Sequence, residues 1–144
     1  MNKLHLIILG VTMLFNKISF AGELNITVTN IDTTKGGNII VMIYDKEDGF
    51  PKDHEMSLLS STKRAQQSSL DFDFDVTSQQ IAIKVLHDEN GDGKVTKNWT
   101  GIYPKDGLGF SNGQKLTFTG PPNYQKSKIT ISPTKHHVII PIIY

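Results

Sequence analysis

The sequence contains no cysteine, so disulfide bonds, zinc–thiolate centres and thiol nucleophiles are all excluded. A lipid anchor attached to an N-terminal cysteine is excluded for the same reason. Neither sign of charge is in excess, because the 144 residues include 15 lysines and arginines and 14 aspartates and glutamates. Arg64 is the single arginine. Such a chain has no electrostatic footprint for nucleic acid or for an anionic membrane surface.

Long apolar runs are scarce, and the one near the start of the chain is short. Residues 4–15 are mostly apolar and follow a lysine, and Ser19 and Ala21 are small residues at the −3 and −1 positions of a signal-peptidase site. The run has about a dozen residues, fewer than the ~20 of a membrane-spanning helix. We therefore predict a cleavable signal peptide over residues 1–21 and a periplasmic or secreted protein. Residues 22–144 are predicted to form one domain that does not insert into the membrane.

Apolar and polar residues alternate with a period of two through most of the remaining chain, which is typical of strands with one buried face. The clearest case is Leu70–Val76, where three aspartates separate four apolar residues. The Gly36-Gly37 pair indicates a hairpin turn, and a helical turn is predicted near residues 53–60. Strands are predicted at residues 24–31, 38–44, 70–76, 80–86, 115–118, 128–131 and 137–144.

Short strands at this spacing predict an all-β fold. We expect a single antiparallel β-sandwich of about seven strands, immunoglobulin-like or transthyretin-like, with one long irregular loop over residues 87–113. No internal repeat, linker or low-complexity segment indicates a second domain.

The long loop opens with a candidate calcium site. Oxygen-bearing side chains stand at alternate positions, Asp88, Asn90 and Asp92, and the next residue is a glycine, a pattern that wraps a backbone around Ca²⁺. Lys94 would contribute its backbone carbonyl. An EF-hand is not predicted, because Trp99 stands where its bidentate glutamate belongs. The alternative stays open that these residues only build tight turns, with Asp and Asn side chains accepting backbone N–H bonds.

Three aromatic residues lie among glycines in the same loop: Trp99, Tyr103 and Phe110. With Asn112 they form a candidate binding surface, because exposed aromatic rings favour contact with a sugar or a peptide. The competing interpretation is that the rings fold back and give the long loop a small core of its own.

No catalytic arrangement is recognisable. The serines lack the strained turn of a G-x-S-x-G nucleophile, and we expect no enzyme activity. The weakest alternative is a hydrolase of envelope material that uses His87 with Asp88 or Asp106 as acid–base groups.

Four blocks occur in order along the chain, at Tyr44–Pro51, Val85–Lys94, Gly107–Asn112 and Gly120–Pro122. With these blocks the chain resembles the bacterial secreted family catalogued as domain of unknown function 2141. The resemblance implies a small exported β-sandwich with no established activity. Members tend to carry an aspartate where this chain has Thr96, so the resemblance implies that a cation ligand is missing here.

These observations together predict a non-enzymatic binding module of the bacterial cell envelope, with Ca²⁺ as the candidate cofactor of the loop. The expected partner is an envelope protein or a glycan, and nucleic acid is not expected. A structural or assembly protein of the envelope is the alternative.

Overall fold

The computed structural model describes residues 20–95 and 105–144. In these residues lie three short helical segments, Thr33–Lys35, His54–Met56 and α1 (Tyr124–Ser127). No helix within the described ranges is long and apolar enough to cross a membrane. The strands are β1 (Gly22–Thr29), β2 (Asn38–Tyr44), β3 (Leu59–Arg64), β4 (Leu70–Val76), β5 (Gln80–Asp88), β6 (Gly107–Phe110), β7 (Ile129–Thr130) and β8 (His136–Pro141).

The strands form two sheets that share one core. The first sheet has the order β4-β1-β8, and the second has the order β3-β2-β5-β6, with β7 paired to β5. All pairs are antiparallel except β1 with β8, which is parallel. Side chains from both sheets meet in a single buried cluster. The predicted all-β sandwich is therefore confirmed.

The alternation of apolar and aspartate residues along β4 determines which face of the strand packs in this core. Phe72, Phe74 and Val76 are buried, while the three aspartates between and before them are exposed. Removing a side chain such as Phe72 from water contributes roughly 2–3 kcal/mol. The period-two pattern read from the sequence thus gives both the strand and its orientation.

The second sheet is covered on both faces, because a second apolar cluster lies on the side away from the shared core. Alternate residues of β5 point to opposite sides, so Ile83 and Val85 enter the core while Ala82 and Leu86 join the outer cluster. The segment between β2 and β3 supplies part of the cover. Its Phe50 ring meets the rings of Tyr44, Phe110 and Tyr124 edge-on, with centroids 5.2, 6.4 and 6.1 Å away.

Two local predictions were wrong, and a third, the helical turn near residues 53–60, was confirmed. The first two strands form no hairpin, because β1 pairs with β4 and β8 while β2 pairs with β3 and β5. Residues 115–118 form no strand, and Thr117 begins a tight turn that is closed by its bridge to Gly120. Near residues 53–60, one short helical turn at His54–Met56 gives way to the edge strand β3.

Candidate functional site

The predicted calcium loop is organised by its own backbone. The Asp88 side chain is 1% exposed, and its two carboxylate oxygens accept the N–H groups of Gly91 (3.0 Å) and Gly93 (2.7 Å). Asp92 accepts the N–H of Lys94 at 2.8 Å, and this bond lowers the pKa of the Asp92 carboxyl. Asn90 donates its amide to the other Asp92 oxygen at 3.0 Å. These side chains are turn-forming groups in this geometry.

The carboxylate oxygens of Asp88 already have hydrogen-bond partners in this loop, because both accept backbone N–H bonds. Within residues 20–95 and 105–144, no group of three or more histidine, aspartate or glutamate side chains is placed to hold a metal ion. Calcium binding at Asp88, Asn90, Asp92 and the Lys94 carbonyl stays a prediction.

Asp88→Ala separates the two interpretations of this loop. If Asp88 is a turn former, the substitution leaves two backbone N–H groups without their acceptor and lowers the free energy of unfolding by about 2 kcal/mol in EDTA. Urea unfolding measures this loss, and Asp92→Ala, at an exposed position, should cost less than half as much. A loss seen only when millimolar Ca²⁺ is present would show instead that Asp88 acts through a bound cation.

The predicted binding surface is only partly within the described residues. Trp99 and Tyr103 lie outside them. For Phe110 the structure shows the competing interpretation, in which the ring folds back: the residue belongs to β6, is 4% exposed and packs on Phe50. Asn112 is exposed and donates its side-chain amide to the Lys126 carbonyl at 2.8 Å, which ties the end of the loop to α1.

His87, which was suggested as an acid–base group of a hydrolase, is held by two other parts of the fold. His87 is fully buried. One ring nitrogen bonds the Tyr144 hydroxyl at 2.6 Å, and the other bonds the Gly36 carbonyl at 2.7 Å. Because a carbonyl can only accept, Nε2 carries the proton. Both nitrogens are therefore engaged in holding strand ends together.

A groove of about 1050 Å³ lies on the outer face of the second sheet. We call it the outer groove. Its wall comes from the segment after β2, the start of the long loop, strands β5 and β6, and the turn after β6. Its lining includes Pro51, Lys52, Asp53, His54, Glu55, Lys84, Asp92, Gly93, Lys94, Leu108, Phe110, Leu116, Phe118 and Pro121.

Lys84 is the unusual member of this lining. It belongs to the middle of β5 and is 3% exposed. Its ammonium donates to the Pro51 carbonyl at 2.7 Å and to Nε2 of His54 at 2.8 Å. No carboxylate of the described residues forms an ion pair with it. Burial without a counter-charge lowers the pKa of Lys84 to about 8.

His54 fixes this amine to the loop that follows β5. Nδ1 of His54 lies 2.8 Å from the Gly93 carbonyl oxygen. Since that oxygen can only accept, Nδ1 carries the ring proton and Nε2 is left to accept from Lys84. Burial and the Lys84 charge both lower the pKa of His54. The imidazole is consequently neutral at neutral pH and bridges the Asp88–Lys94 turn to the Lys84 amine.

Sequence reasoning missed this pair. The available signal was one lysine inside the apolar stretch Ile81–Leu86, where a cation facing solvent would have been expected on an exposed strand face. This single lysine did not indicate that the outer face of β5 is covered by another segment. His54 stands in a polar segment and gave no signal at all.

A family profile described as "Uncharacterized protein conserved in bacteria", domain of unknown function 2141, matches residues 26–139. This match confirms the resemblance carried by the four sequence blocks. No curated protein and no solved structure matches the chain.

Proposed function

Since this chain belongs to domain of unknown function 2141, a family conserved in bacteria, we propose that it is a ligand-binding module of the bacterial cell envelope and not an enzyme. The observation that carries the proposal is the outer groove. Its volume of about 1050 Å³ is slightly above the ~300–1,000 Å³ range of small-molecule sites. Export rests on the predicted signal peptide, residues 1–21.

The lining of the groove supports a binding role. Leu108 and Phe110 of β6 and Leu116 of the following turn provide apolar surface, and Lys84 and His54 provide a few fixed polar groups. Mostly apolar walls with a small number of convergent polar atoms are typical of ligand sites. The Asp88–Lys94 turn forms one wall of the groove, whether or not a calcium ion is bound to it.

The polar residues that would serve a hydrolase are occupied by the fold. Ser111 is 1% exposed, accepts the N–H of Ile83 at 2.8 Å and donates to the Ser127 carbonyl at 2.6 Å. His87 is buried with both ring nitrogens bonded. These contacts favour binding over catalysis.

A structural or assembly role has less support. The edge strand β3 exposes serine, threonine, lysine and arginine side chains along most of its length. Short, charged edge strands are typical of sheets protected from pairing with another chain. An envelope protein or a glycan as partner remains a proposal without a matching surface among the described residues.

Binding in the outer groove is testable with a neutral fluorescent probe, N-phenyl-1-naphthylamine. We expect saturable fluorescence enhancement with the unmodified protein and at least a tenfold loss of affinity in Leu116→Asp, because a carboxylate would enter the apolar wall. Leu58→Asp is the matched control, since Leu58 is 41% exposed and lies outside the groove. Equal binding by both variants, or none by the unmodified protein, would contradict the proposed function.

A further inference from the structure

Lys84 is the one lysine or arginine buried among the described residues. A buried charge normally has an opposite charge beside it, because desolvation otherwise costs several kcal/mol. Here the two partners of the ammonium are neutral, the Pro51 carbonyl and the His54 imidazole. The fold therefore keeps a desolvated cation that its own carboxylates do not neutralise.

The hydrogen bonding of this cation is also incomplete. An alkylammonium has three N–H donors, and two of them are used by Pro51 and His54. The third has no partner among the described residues. Since Lys84 lines the outer groove, a ligand seated there can supply the missing acceptor together with the missing negative charge.

The rim of the groove limits how much charge the ligand carries. Two exposed lysines, Lys52 and Lys94, stand beside three exposed carboxylates, Asp53, Glu55 and Asp92. A rim with this balance attracts no polyanion and no anionic membrane surface. The Lys84 amine is the one buried positive charge among the described lining residues, and a single buried cation suits a head group with a single negative charge.

The rest of the groove suits an apolar body. Leu108 and Phe110 lie on the same sheet face as Lys84, and Leu116, Phe118 and Pro121 of the following segment also line the groove. Apolar surface removed from water in such a site contributes roughly 25 cal/mol per Å². One cation beside an apolar wall is complementary to an amphipathic anion.

We propose, on the basis of the ligand-binding function inferred above, that the outer groove takes a small amphipathic carboxylate. The carboxylate accepts an N–H of Lys84, and the hydrocarbon part lies along Leu108, Phe110 and Leu116. His54 acts as a positioning residue, because its neutral ring holds the amine without competing for the anion.

The test uses three ligands of equal chain length on the purified protein: octanoate, octanol and octyl phosphate. Displacement of N-phenyl-1-naphthylamine, checked by calorimetry, measures their affinities. We expect octanoate to bind at least tenfold more tightly than octanol. In Lys84→Met this preference should disappear, and in Lys46→Met, an exposed lysine outside the groove, it should persist.

The outcomes separate the two proposals. If the neutral probe does not bind the unmodified protein, the ligand-binding function itself fails. If the probe binds but octanoate and octanol displace it equally, or Lys84→Met keeps the preference for octanoate, the groove binds ligands and the carboxylate assignment is overturned. Octyl phosphate binding as tightly as octanoate would overturn the choice of a carboxylate head group.

Discussion

Lys84→Met should make the protein more stable. At neutral pH a pKa lowered from 10.5 to about 8 corresponds to a cost of about 3 kcal/mol for keeping the folded-state amine protonated. Methionine has a similar length and no charge, so it removes this cost. The His54 and Pro51 acceptors lose their donor, which offsets part of the gain. We expect a net increase of about 1–2 kcal/mol in the free energy of unfolding, or roughly 5 °C in the melting temperature.

The pH dependence of the stability difference between Lys84→Met and the unmodified protein shows whether the buried charge causes it. Below pH 8 the Lys84 amine is protonated in both states, so the unmodified protein bears the full cost. Between pH 8 and 10.5 the unfolded chain still holds a proton that the folded chain has released, so stability rises with pH. The advantage of Lys84→Met should therefore shrink across this interval. A pH-independent advantage, or a variant less stable than Lys46→Met, would contradict the argument.

Gly37→Ala should be strongly destabilising. Gly37 has a φ of +70°, and a Cβ there would overlap the Asp88 carbonyl oxygen and lie 2.7 Å from Glu89 Cα. The left-handed backbone alone costs an alanine about 1–2 kcal/mol, and both atoms met by the new Cβ are backbone atoms that move only with the loop. We expect the free energy of unfolding to fall by about 3 kcal/mol or more, measured by urea unfolding.

The neighbouring residue provides the matched control. Gly36 has a φ of +64°, and a Cβ there would meet nothing within 4 Å. Gly36→Ala therefore reports conformational strain alone, of about 1–3 kcal/mol. The excess loss in Gly37→Ala measures the close approach of β2 to the first residues of the Asp88–Lys94 turn. A loss in Gly37→Ala of only about 1–2 kcal/mol, the cost of a left-handed backbone alone, would show that this approach is not tight.

How far the fold can be predicted depends on how many apolar side chains each strand buries. The bounds of β2 and β4 agree with the prediction, and β5 runs two residues farther, because apolar residues in these strands recur where the core lies. The edge strand β3 was missed because Leu59 is its single apolar residue. The hairpin prediction failed at Gly36-Gly37, since a local turn signal does not reveal which sheet the next strand joins.

The candidate site was harder to predict for a related reason. Asp88 and Asp92 were identified from their spacing, and the spacing fits both a cation loop and the N–H-accepting turn that the structure contains. Lys84 becomes distinctive only when Pro51 and His54, about thirty residues earlier, close over it. When a distant segment buries a residue, the alternation of apolar and polar residues around that residue does not reveal the burial.

The parallel pairing of β1 with β8 also bears on the order of events during folding. Leu24 lies opposite His136 and Val28 opposite Ile140, so the central strand of the first sheet gains its second neighbour from the far end of the domain. Pairings with such sequence separation carry a high entropic cost and slow the folding reaction. The first sheet cannot form completely before β8 has been synthesised, because β8 is one of the two neighbours of β1. The first sheet is therefore completed only when residues 136–141 are available to pair with β1.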